Sequence, residues 1–337
     1  MKAIVQRRYG RPENVLELRD IAKPDLGDDQ VLVRVHAASM HPDVWHVVNG
    51  WPYALRLMGS GLLKPRQSVP GTDIAGRVEA VGKKTTRFQP GDEVFGEIVK
   101  GHQWKNAGAY AEYAAVRESA LALKPENITF EQAAAVPTSG LIAFQGIHRD
   151  GQVQPGQNVL INGAGGAVGT FAVQIAKAAG AHVTAVDGTD KLDMLQSIGA
   201  DLVIDYTKDD FTQDGERYDL ILDIPGNRSF DDLKRVLGDD GRYVIIGHDN
   251  YGASGNRLFG GTIGRVLKLQ LFAPFGRRPR DRDATTATEE PFAVLTQLIE
   301  AGQIMPVIDK TFPLSEVAQA IRYLEAGNAK GKIVIAI

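Results

Sequence analysis

The sequence predicts an α/β protein of two units, a barrel-like β unit followed by a parallel sheet with helices. Two features predict this order. Up to about residue 125, short alternating segments are separated by Gly and Pro, as at Pro90 and Gly91. From about residue 128, apolar runs of strand length alternate with stretches of helical periodicity, which is typical of βαβ units and therefore of a parallel sheet. The length of 337 residues agrees with two domains.

The first domain is predicted over residues 1–125, and its strands are short and bounded by turns. They are Ala3–Gln6, Val31–Ala37, Ala75–Val81 and Glu93–Ile98. The second domain is predicted over residues 126–300. Its strands are Asn158–Asn162, His182–Asp187, Leu202–Asp205, Asp219–Asp223 and Tyr243–Gly247, and its helices are Gly166–Ala179 and Lys191–Ile198. Several of these strands are apolar without alternation, which indicates burial on both faces of the sheet.

Two segments do not follow this alternation of strands and helices. Residues 249–290 are rich in Gly and Arg, and we interpret them as a solvated loop, with a phosphate-binding arm at Arg277–Arg282 as the alternative. Residues 301–337 carry a predicted helix, Ser315–Ala326, and a last strand, Lys332–Ile337. This strand is predicted to return to the first domain.

Composition and charge exclude several classes of function. A net charge of −3 gives no sign of a nucleic-acid or membrane-surface partner. No window reaches the roughly 18 apolar residues that cross a bilayer, and the N-terminal residues lack the apolar stretch of a signal peptide. The chain has no cysteine, which excludes disulfides and thiolate zinc sites. We therefore expect a cytoplasmic protein.

The most informative motif is a glycine-rich turn between a predicted strand and a predicted helix. Its glycines are Gly163, Gly165, Gly166 and Gly169. The spacing departs from G-x-G-x-x-G, so either Ala164 replaces the first glycine or the form is G-x-x-G-x-x-G. Glycine lets the backbone approach a pyrophosphate, and the helix N-terminus, beginning with Ala167 and Val168, offers free N–H groups. The sequence therefore predicts a dinucleotide-binding turn.

Residues beyond the turn bear on which dinucleotide binds. Asp187 ends the second strand, 21 positions after Gly166, where a carboxylate accepts hydrogen bonds from the adenosine ribose 2′-hydroxyl and favours NAD. Lys191 lies four residues further on, and Tyr206 follows the third strand. A cation and a hydroxyl there would hold the 2′-phosphate of NADP. These two signals conflict.

Further motifs give a resemblance to a known family. They lie at residues 69–76 (VPGTDIAG), 87–94 (RFQPGDEV), 108–113 (GAYAEY), 133–137 (AAAVP), 163–177, 198–206 and 331–335. With these motifs, nearly the whole chain resembles the zinc-independent, quinone-oxidoreductase-like branch of the medium-chain dehydrogenase/reductase superfamily. The resemblance implies a GroES-like β-barrel domain, a doubly wound Rossmann domain and a cofactor in the cleft between them. It also implies that the C-terminal segment rejoins the first domain.

The resemblance further implies that no metal is used. The zinc-dependent branch has an early cysteine and a His-Glu pair after the Pro-Gly. Here Thr72 and Asp73 stand in place of that pair, and there is no cysteine. We therefore expect neither a catalytic nor a structural metal.

Individual site residues follow from matching positions. In the family, a Ser-x-Asn-Pro loop approaches the nicotinamide, and here His41 replaces the asparagine. Histidine titrates near neutrality, so His41 is either a proton donor or a structural residue bonded to backbone. Tyr53 matches a position near the substrate cleft and is a second candidate donor or an aromatic wall. Thr138 matches a position near the nicotinamide phosphate, although it could simply cap the following helix.

The same matching of positions favours NADPH as the cofactor, with NADH as the alternative. Lys191 lies eight residues before Gly199, as the 2′-phosphate lysine does in NADP-using relatives, and Tyr206 and Lys330 match two further partners. Gly247, at the end of a sheet strand, completes the expected cofactor contacts.

The expected reaction is hydride transfer from NADPH to a quinone or an α,β-unsaturated carbonyl, followed by protonation by water, His41 or Tyr53. Without a metal, an activated acceptor is favoured over a simple ketone. The alternatives are an enoyl-thioester reductase and an NADPH-binding protein without significant turnover. Since the family pairs the last Rossmann strand, here near Leu267–Phe272, with a second subunit, a homodimer is also expected.

Overall fold

The structure is a computed structural model that describes residues 1–53, 56–98, 106–213, 215–247 and 289–337. In these ranges the strands are β1 (Lys2–Gln6), β2 (Leu16–Asp20), β3 (Gln30–Met40), β4 (Asp73–Val81), β5 (Glu93–Glu97), β6 (Tyr113–Arg117), β7 (Leu121–Leu123), β8 (Asn158–Asn162), β9 (His182–Asp187), β10 (Leu202–Asp205), β11 (Tyr218–Asp223), β12 (Leu237–Ile245), β13 (Ile308–Pro313) and β14 (Lys332–Ala336). The α-helices are α1 (Pro12–Val15), α2 (Pro42–Asn49), α3 (Phe130–Ala135), α4 (Pro137–Phe144), α5 (Ala167–Ala178), α6 (Leu192–Ser197), α7 (Phe230–Val236), α8 (Glu289–Glu300) and α9 (Val317–Glu325).

The N-terminal part supplies most strands of a largely antiparallel sheet, which packs around one apolar core. Its strand order is β13-β14-β3-β4-β5-β7, and β6 also pairs with β3. The long strand β3 is the centre of this sheet, because Val31, Val33 and Val35 face the interior while its alternate side chains are more exposed. The first two strands pair separately as an antiparallel ribbon.

The second sheet is parallel, with the order β10-β9-β8-β11-β12. Its central strand β8 carries Val159, Leu160 and Ile161, all fully buried, as expected for a strand covered by helices on both faces. The strand order runs outward from β8 in both directions. The carboxyl ends of β8 and β11 therefore meet at a topological switch point, where ligands bind in sheets of this kind. The predicted α/β class, with a barrel-like and a doubly wound part, is confirmed.

The C-terminal segment lies in the first sheet. Strand β14 runs antiparallel to β3, with Ile333 opposite Met40, and β13 runs parallel to β14. Residues from opposite ends of the chain therefore share one apolar core, which contains Val33, Ile333 and Ile335.

Some predicted boundaries are wrong. Strand β12 begins at Leu237 rather than Tyr243, because a register irregularity opposite Tyr218 and Leu220 lets a Gly-Asp-Asp-Gly stretch stay in the sheet. The last helix begins at Val317, because Leu314–Glu316 forms a 3-10 turn instead of its first turn.

Other predictions concern parts of the chain that are not described. The predicted loop, apart from the start of α8, lies there, as do Arg277–Arg282 and the edge strand Leu267–Phe272. In the ranges listed above, no helix is both long and apolar enough to cross a membrane.

Candidate active site

The glycine turn lies between β8 and α5, at the switch point of the parallel sheet. Gly163 has a φ of +80°, and a Cβ there would lie 2.8 Å from Cδ of Pro225. A Cβ on Gly169 would lie 2.4 Å from the carbonyl oxygens of Gly163 and Ala164. The turn therefore closes tightly, and α5 packs on it at a distance that only glycine allows.

Gly166, in contrast, faces open space. A Cβ built there has only the Gly163 carbonyl oxygen within 4 Å, at 3.6 Å. Gly166 is also the N-cap of the twelve-residue helix α5, and no side chain caps this end. The first turn of α5, which begins with Ala167 and Val168, therefore has no side-chain cap, and the partial positive charge of the helix end favours an anion there. The turn fits a pyrophosphate.

Asp187 holds the turn from the next strand. One carboxylate oxygen accepts from the backbone N–H of Gly165 at 2.7 Å, and the other accepts from the N–H of Gly188 at 2.8 Å. The ammonium of Lys191 lies 3.3 Å from the same carboxylate. Because this carboxylate is buried and already has three partners, its first role is to fix the turn, and its charge is compensated.

Charges of both signs surround the end of the site that contains Asp187. Tyr206 is half exposed and lies beside Gly188, whose hypothetical Cβ would be 3.7 Å from the phenol oxygen. Three ion pairs complete this rim: Lys191–Asp187 at 3.3 Å, Lys208–Asp205 at 3.0 Å and Lys330–Asp190 at 3.4 Å. The structure thus brings Lys191 to Asp187 and gives Lys330 a carboxylate partner of its own.

A second polar group, which the sequence analysis did not single out, is centred on Asp223 and fixes a loop beside the glycine turn. Asn162 donates to Asp223 at 2.9 Å, and Tyr243 donates to the other oxygen of this carboxylate at 2.8 Å. The N–H of Gly226 also donates to Asp223, at 2.9 Å. These bonds fix the loop whose Pro225 packs against Gly163. Gly247, a predicted cofactor contact, is the last described residue after β12. Its carbonyl oxygen would lie 3.0 Å from a Cβ built on Gly226.

Asp73 is the centre of a buried cluster at the other end of the site. Its carboxylate accepts from the hydroxyls of Thr138 at 2.5 Å, Thr72 at 3.1 Å and Ser39 at 3.3 Å. The ammonium of Lys332 lies 3.4 Å away. Thr138, predicted to contact the cofactor or cap its helix, thus donates to Asp73, and its helix has Val136 as an N-cap without a side-chain bond.

His41 joins this cluster through Thr72. Its Nε2 lies 3.0 Å from the Thr72 hydroxyl, and its Nδ1 accepts from the backbone N–H of Asp43 at 3.3 Å. Since the Thr72 hydroxyl donates to Asp73, we assign the proton to Nε2, which donates to Thr72. Burial lowers the pKa of His41, although the nearby carboxylates of Asp43 and Asp73 oppose this effect. His41 is therefore neutral near pH 7, caps α2 and has both ring nitrogens engaged.

Tyr53 is placed differently. Its ring is 43% exposed, and the Arg56 guanidinium lies 4.7 Å from the ring centroid. The same guanidinium lies 4.3 Å from the ring of Tyr9. Tyr53 is thus open to solvent beside a cation, whereas His41 is enclosed, and the structure does not bring the two side chains into contact.

Asp73 and Lys332 lie in the motifs given above, but no site role is predicted for either from the sequence. No local signal distinguished Lys332, because a lysine at the start of an apolar strand is ordinarily exposed. Across the described part of the chain, no group of three or more His, Cys, Asp or Glu side chains is arranged to hold a metal ion. The metal-free reaction remains a prediction.

Comparisons with known proteins place the chain among dehydrogenases and reductases. Residues 27–126 match the family model described as the alcohol dehydrogenase GroES-like domain, and residues 198–335 match the one described as zinc-binding dehydrogenase. The chain is 35% identical to an NADPH-dependent alkenal/one oxidoreductase, chloroplastic, of Arabidopsis thaliana, and 33% identical to a 2-methylene-furan-3-one reductase of Solanum lycopersicum. Each match covers 99% of this chain and 79% of the relative.

A solved structure gives the same picture. The quinone oxidoreductase from Coxiella burnetii matches with a TM-score of 0.81 and 27% identity, over 100% of this chain and 99% of that one. Both parts of the fold are therefore shared with a reductase structure.

Proposed function

The chain belongs to the quinone-oxidoreductase-like branch of the medium-chain dehydrogenase/reductase superfamily, and on this premise we propose that it is an NADPH-dependent reductase of quinones and α,β-unsaturated carbonyl compounds. The relatives named above act, by their names, on alkenals, alkenones, a methylene-furanone and quinones. In these acceptors an electron-poor carbon takes a hydride without a metal to polarise the carbonyl. NADPH supplies that hydride when bound.

The observation that carries the proposal is the open face of Gly166 at the uncapped N-terminus of α5. The neighbouring glycines are packed against backbone or other residues, but this position has room for a pyrophosphate. The arrangement supports a dinucleotide, since free N–H groups and the helix dipole both favour an anion there.

The surroundings of Asp187 support NADPH over NADH. A free carboxylate would repel a 2′-phosphate, but this one accepts two backbone N–H groups and lies 3.3 Å from Lys191. With the carboxylate neutralised, Lys191 and the half-exposed Tyr206 supply a cation and a hydroxyl for a phosphate. Lys330 adds a second cation, although Asp190 shares its charge.

The proton that completes the reduction comes, in our proposal, from Tyr53 or from water. Tyr53 is 43% exposed, so its hydroxyl can exchange a proton with solvent, and the Arg56 guanidinium lies 4.7 Å from its ring centroid. His41, the other predicted donor, has its Nε2–H directed at Thr72 and is neutral near pH 7. It would therefore act only through Thr72, and its more direct effect is to hold the loop before α2.

A binding and turnover experiment tests the proposal. Thermal-shift titrations with NADPH and NADH should both stabilise the protein, with NADPH acting at lower concentration. NADPH oxidation should then be followed at 340 nm with 9,10-phenanthrenequinone, an alkenal and an enoyl thioester. We expect turnover with the first two. Tight NADPH binding with no oxidation by any acceptor would instead favour a binding protein, and turnover confined to the thioester would favour an enoyl-thioester reductase.

Two further features belong to the proposal. We place the protein in the cytoplasm, although the Arabidopsis relative is named as chloroplastic. We also propose a homodimer, whose predicted edge strand, Leu267–Phe272, lies outside the described residues. Light scattering at micromolar concentration should give twice the chain mass of 36.5 kDa. The mass of a single chain would contradict the proposed homodimer.

A further inference from the structure

The last strand of the first sheet begins with a charged residue in a fully buried place. Lys332 has no exposed surface, and its ammonium lies 3.4 Å from Asp73 and donates to the Ser139 hydroxyl at 3.0 Å. Burial lowers the pKa of Lys332, and Asp73 opposes this effect. A lysine in such a place is costly unless a carboxylate compensates it, so an apolar residue would serve simple packing better.

The ion pair joins three parts of the fold. Asp73 is the first residue of β4, Ser139 lies in α4, and Lys332 is the first residue of β14. Asp73 also accepts from the N–H of Thr138 at 3.3 Å. Strands of the barrel and the helix that leads into the parallel sheet are thus tied at one point.

One residue before this point, the chain touches the glycine turn. The N–H of Gly331 donates to the carbonyl of Gly165 at 2.9 Å, and Gly331 forms an isolated parallel bridge with Gly166. This position requires glycine, because Gly331 has a φ of +90° and a Cβ there would lie 2.5 Å from the Val307 carbonyl oxygen. Lys330, on the other side, reaches Asp190 at 3.4 Å.

From this geometry we propose that Lys332 and Asp73 are positioning residues for the dinucleotide, which neither of them touches. The ion pair fixes residues 330–332, Gly331 fixes the carbonyl of Gly165, and the turn is thereby held in the form that binds the pyrophosphate. Without the pair, the Gly331–Gly165 bond opens more often, and the fraction of molecules ready to bind falls. The apparent affinity falls with that fraction. This inference rests on the proposed dinucleotide site.

The test compares Lys332→Met with a matched control in the intact protein. Lys124 is also a largely buried lysine, paired with Glu93 at 3.3 Å in the barrel, but no bond connects it to the glycine turn. Dissociation constants for NADPH and NADH are measured by the fluorescence of the bound nucleotide. Hydrogen–deuterium exchange of the peptide containing Gly331 is measured without nucleotide.

We expect Lys332→Met to raise both dissociation constants about tenfold and to speed exchange at Gly331. Both nucleotides should be affected alike, because the turn and not the 2′-phosphate is disturbed. Lys124→Met should lower thermal stability but change neither the affinities nor that exchange. The double variant Asp73→Asn/Lys332→Met removes both charges, so it should recover stability relative to the single variant while its affinities stay low. If the single variant does not fold, the affinities and the exchange are measured on the double variant.

Several results would overturn the inference. If Lys332→Met binds and exchanges like the wild type, the tail does not position the turn. If the double variant recovers affinity together with stability, the pair is merely structural. If the wild-type protein binds neither nucleotide, the proposed function fails and this inference fails with it. Normal wild-type binding with an unchanged Lys332→Met overturns the positioning role alone.

Discussion

The two ends of the candidate site each contain an aspartate–lysine ion pair, but the pairs differ in burial and in sequence separation. Asp187 and Lys191 lie four residues apart and 3.3 Å from each other, with 9% and 13% of their side chains exposed. Asp73 and Lys332 are 259 residues apart and have no exposed surface. The rim pair is a local feature that a ligand can reach. The buried pair holds distant segments together and depends on the whole fold, so the same chemistry has different consequences.

The largest difference expected between the two ion pairs is in their contribution to stability. Lys332→Met leaves the Asp73 carboxylate buried without its cation, which we expect to lower the free energy of unfolding by about 3–5 kcal/mol. Lys191→Met should lower it less, by about 1–2 kcal/mol, because Asp187 keeps two backbone N–H donors and the pair is not fully buried. Chemical denaturation followed by tryptophan fluorescence and circular dichroism measures both. Equal losses in the two variants would show that burial does not distinguish the pairs.

A second comparison sets the packed Gly331 against the open Gly166. Gly166→Val should retain stability. Gly166 has a φ of −84°, which any residue adopts, and a side chain has room there. Its methyl groups would occupy the pyrophosphate space and weaken NADPH binding about a hundredfold, or about 2.7 kcal/mol. Gly331→Ala should weaken binding and also lower the melting temperature, because of its positive φ and its contact with Val307.

The readouts for these glycines are fluorescence titration and calorimetry. If Gly166→Val bound NADPH normally, the open face of the turn would not be the pyrophosphate site. Gly156→Ala, at a surface turn of positive φ with nothing within 4 Å of its Cβ, controls for strain alone.

The third prediction concerns which nucleotide the rim selects. Lys191→Met removes the cation expected at the 2′-phosphate, and we expect about a tenfold loss of affinity for NADPH. Affinity for NADH should change little, because NADH has no 2′-phosphate and Asp187 keeps its two backbone N–H bonds. Tyr206→Phe removes only a neutral hydroxyl and should have a smaller effect of the same sign. Parallel titrations with both nucleotides measure this, and an equal loss for both would contradict a role in selection.

The smallest expected effect is the pH dependence contributed by His41. Burial lowers the pKa values of His36, His41 and His148 below their usual value of 6.5. Below pH 6.5 the unfolded chain therefore binds more protons than the folded one, so stability falls as the pH falls from about 7 to 5. His41→Asn keeps a side-chain acceptor for the N-cap and removes one of the three groups.

We expect the stability of His41→Asn to fall less steeply with acid than that of the wild type, whatever the difference between the two proteins at pH 8. Melting temperatures at half-unit intervals of pH measure the difference. Parallel curves for the two proteins would show that His41 does not contribute. The pH profile of turnover, recorded alongside, would shift only if His41 takes part in proton transfer.

Much of the fold could be predicted from the sequence, because its signals are local. The glycine turn, the strand before it and the helix after it were recognised together, since each depends on a few neighbouring residues. Asp187 and Lys191 were recognised because a carboxylate at a strand end and a cation four residues later have a regular spacing. Strand β12 was placed too late in the chain, because glycines and aspartates at its start read as a turn while tertiary pairing keeps them in the sheet.

The sequence by itself thus determined the fold class, the position of the glycine turn and the placing of Asp187 and Lys191 after the next strand, because periodicity, turn chemistry and motif spacing act over short distances. Only the tertiary structure decided that Asp187 braces the turn, that His41 is enclosed and that Lys332 meets Asp73. These contacts join segments up to 259 residues apart. Their energies come from burial and from partners on other elements, which no local pattern records.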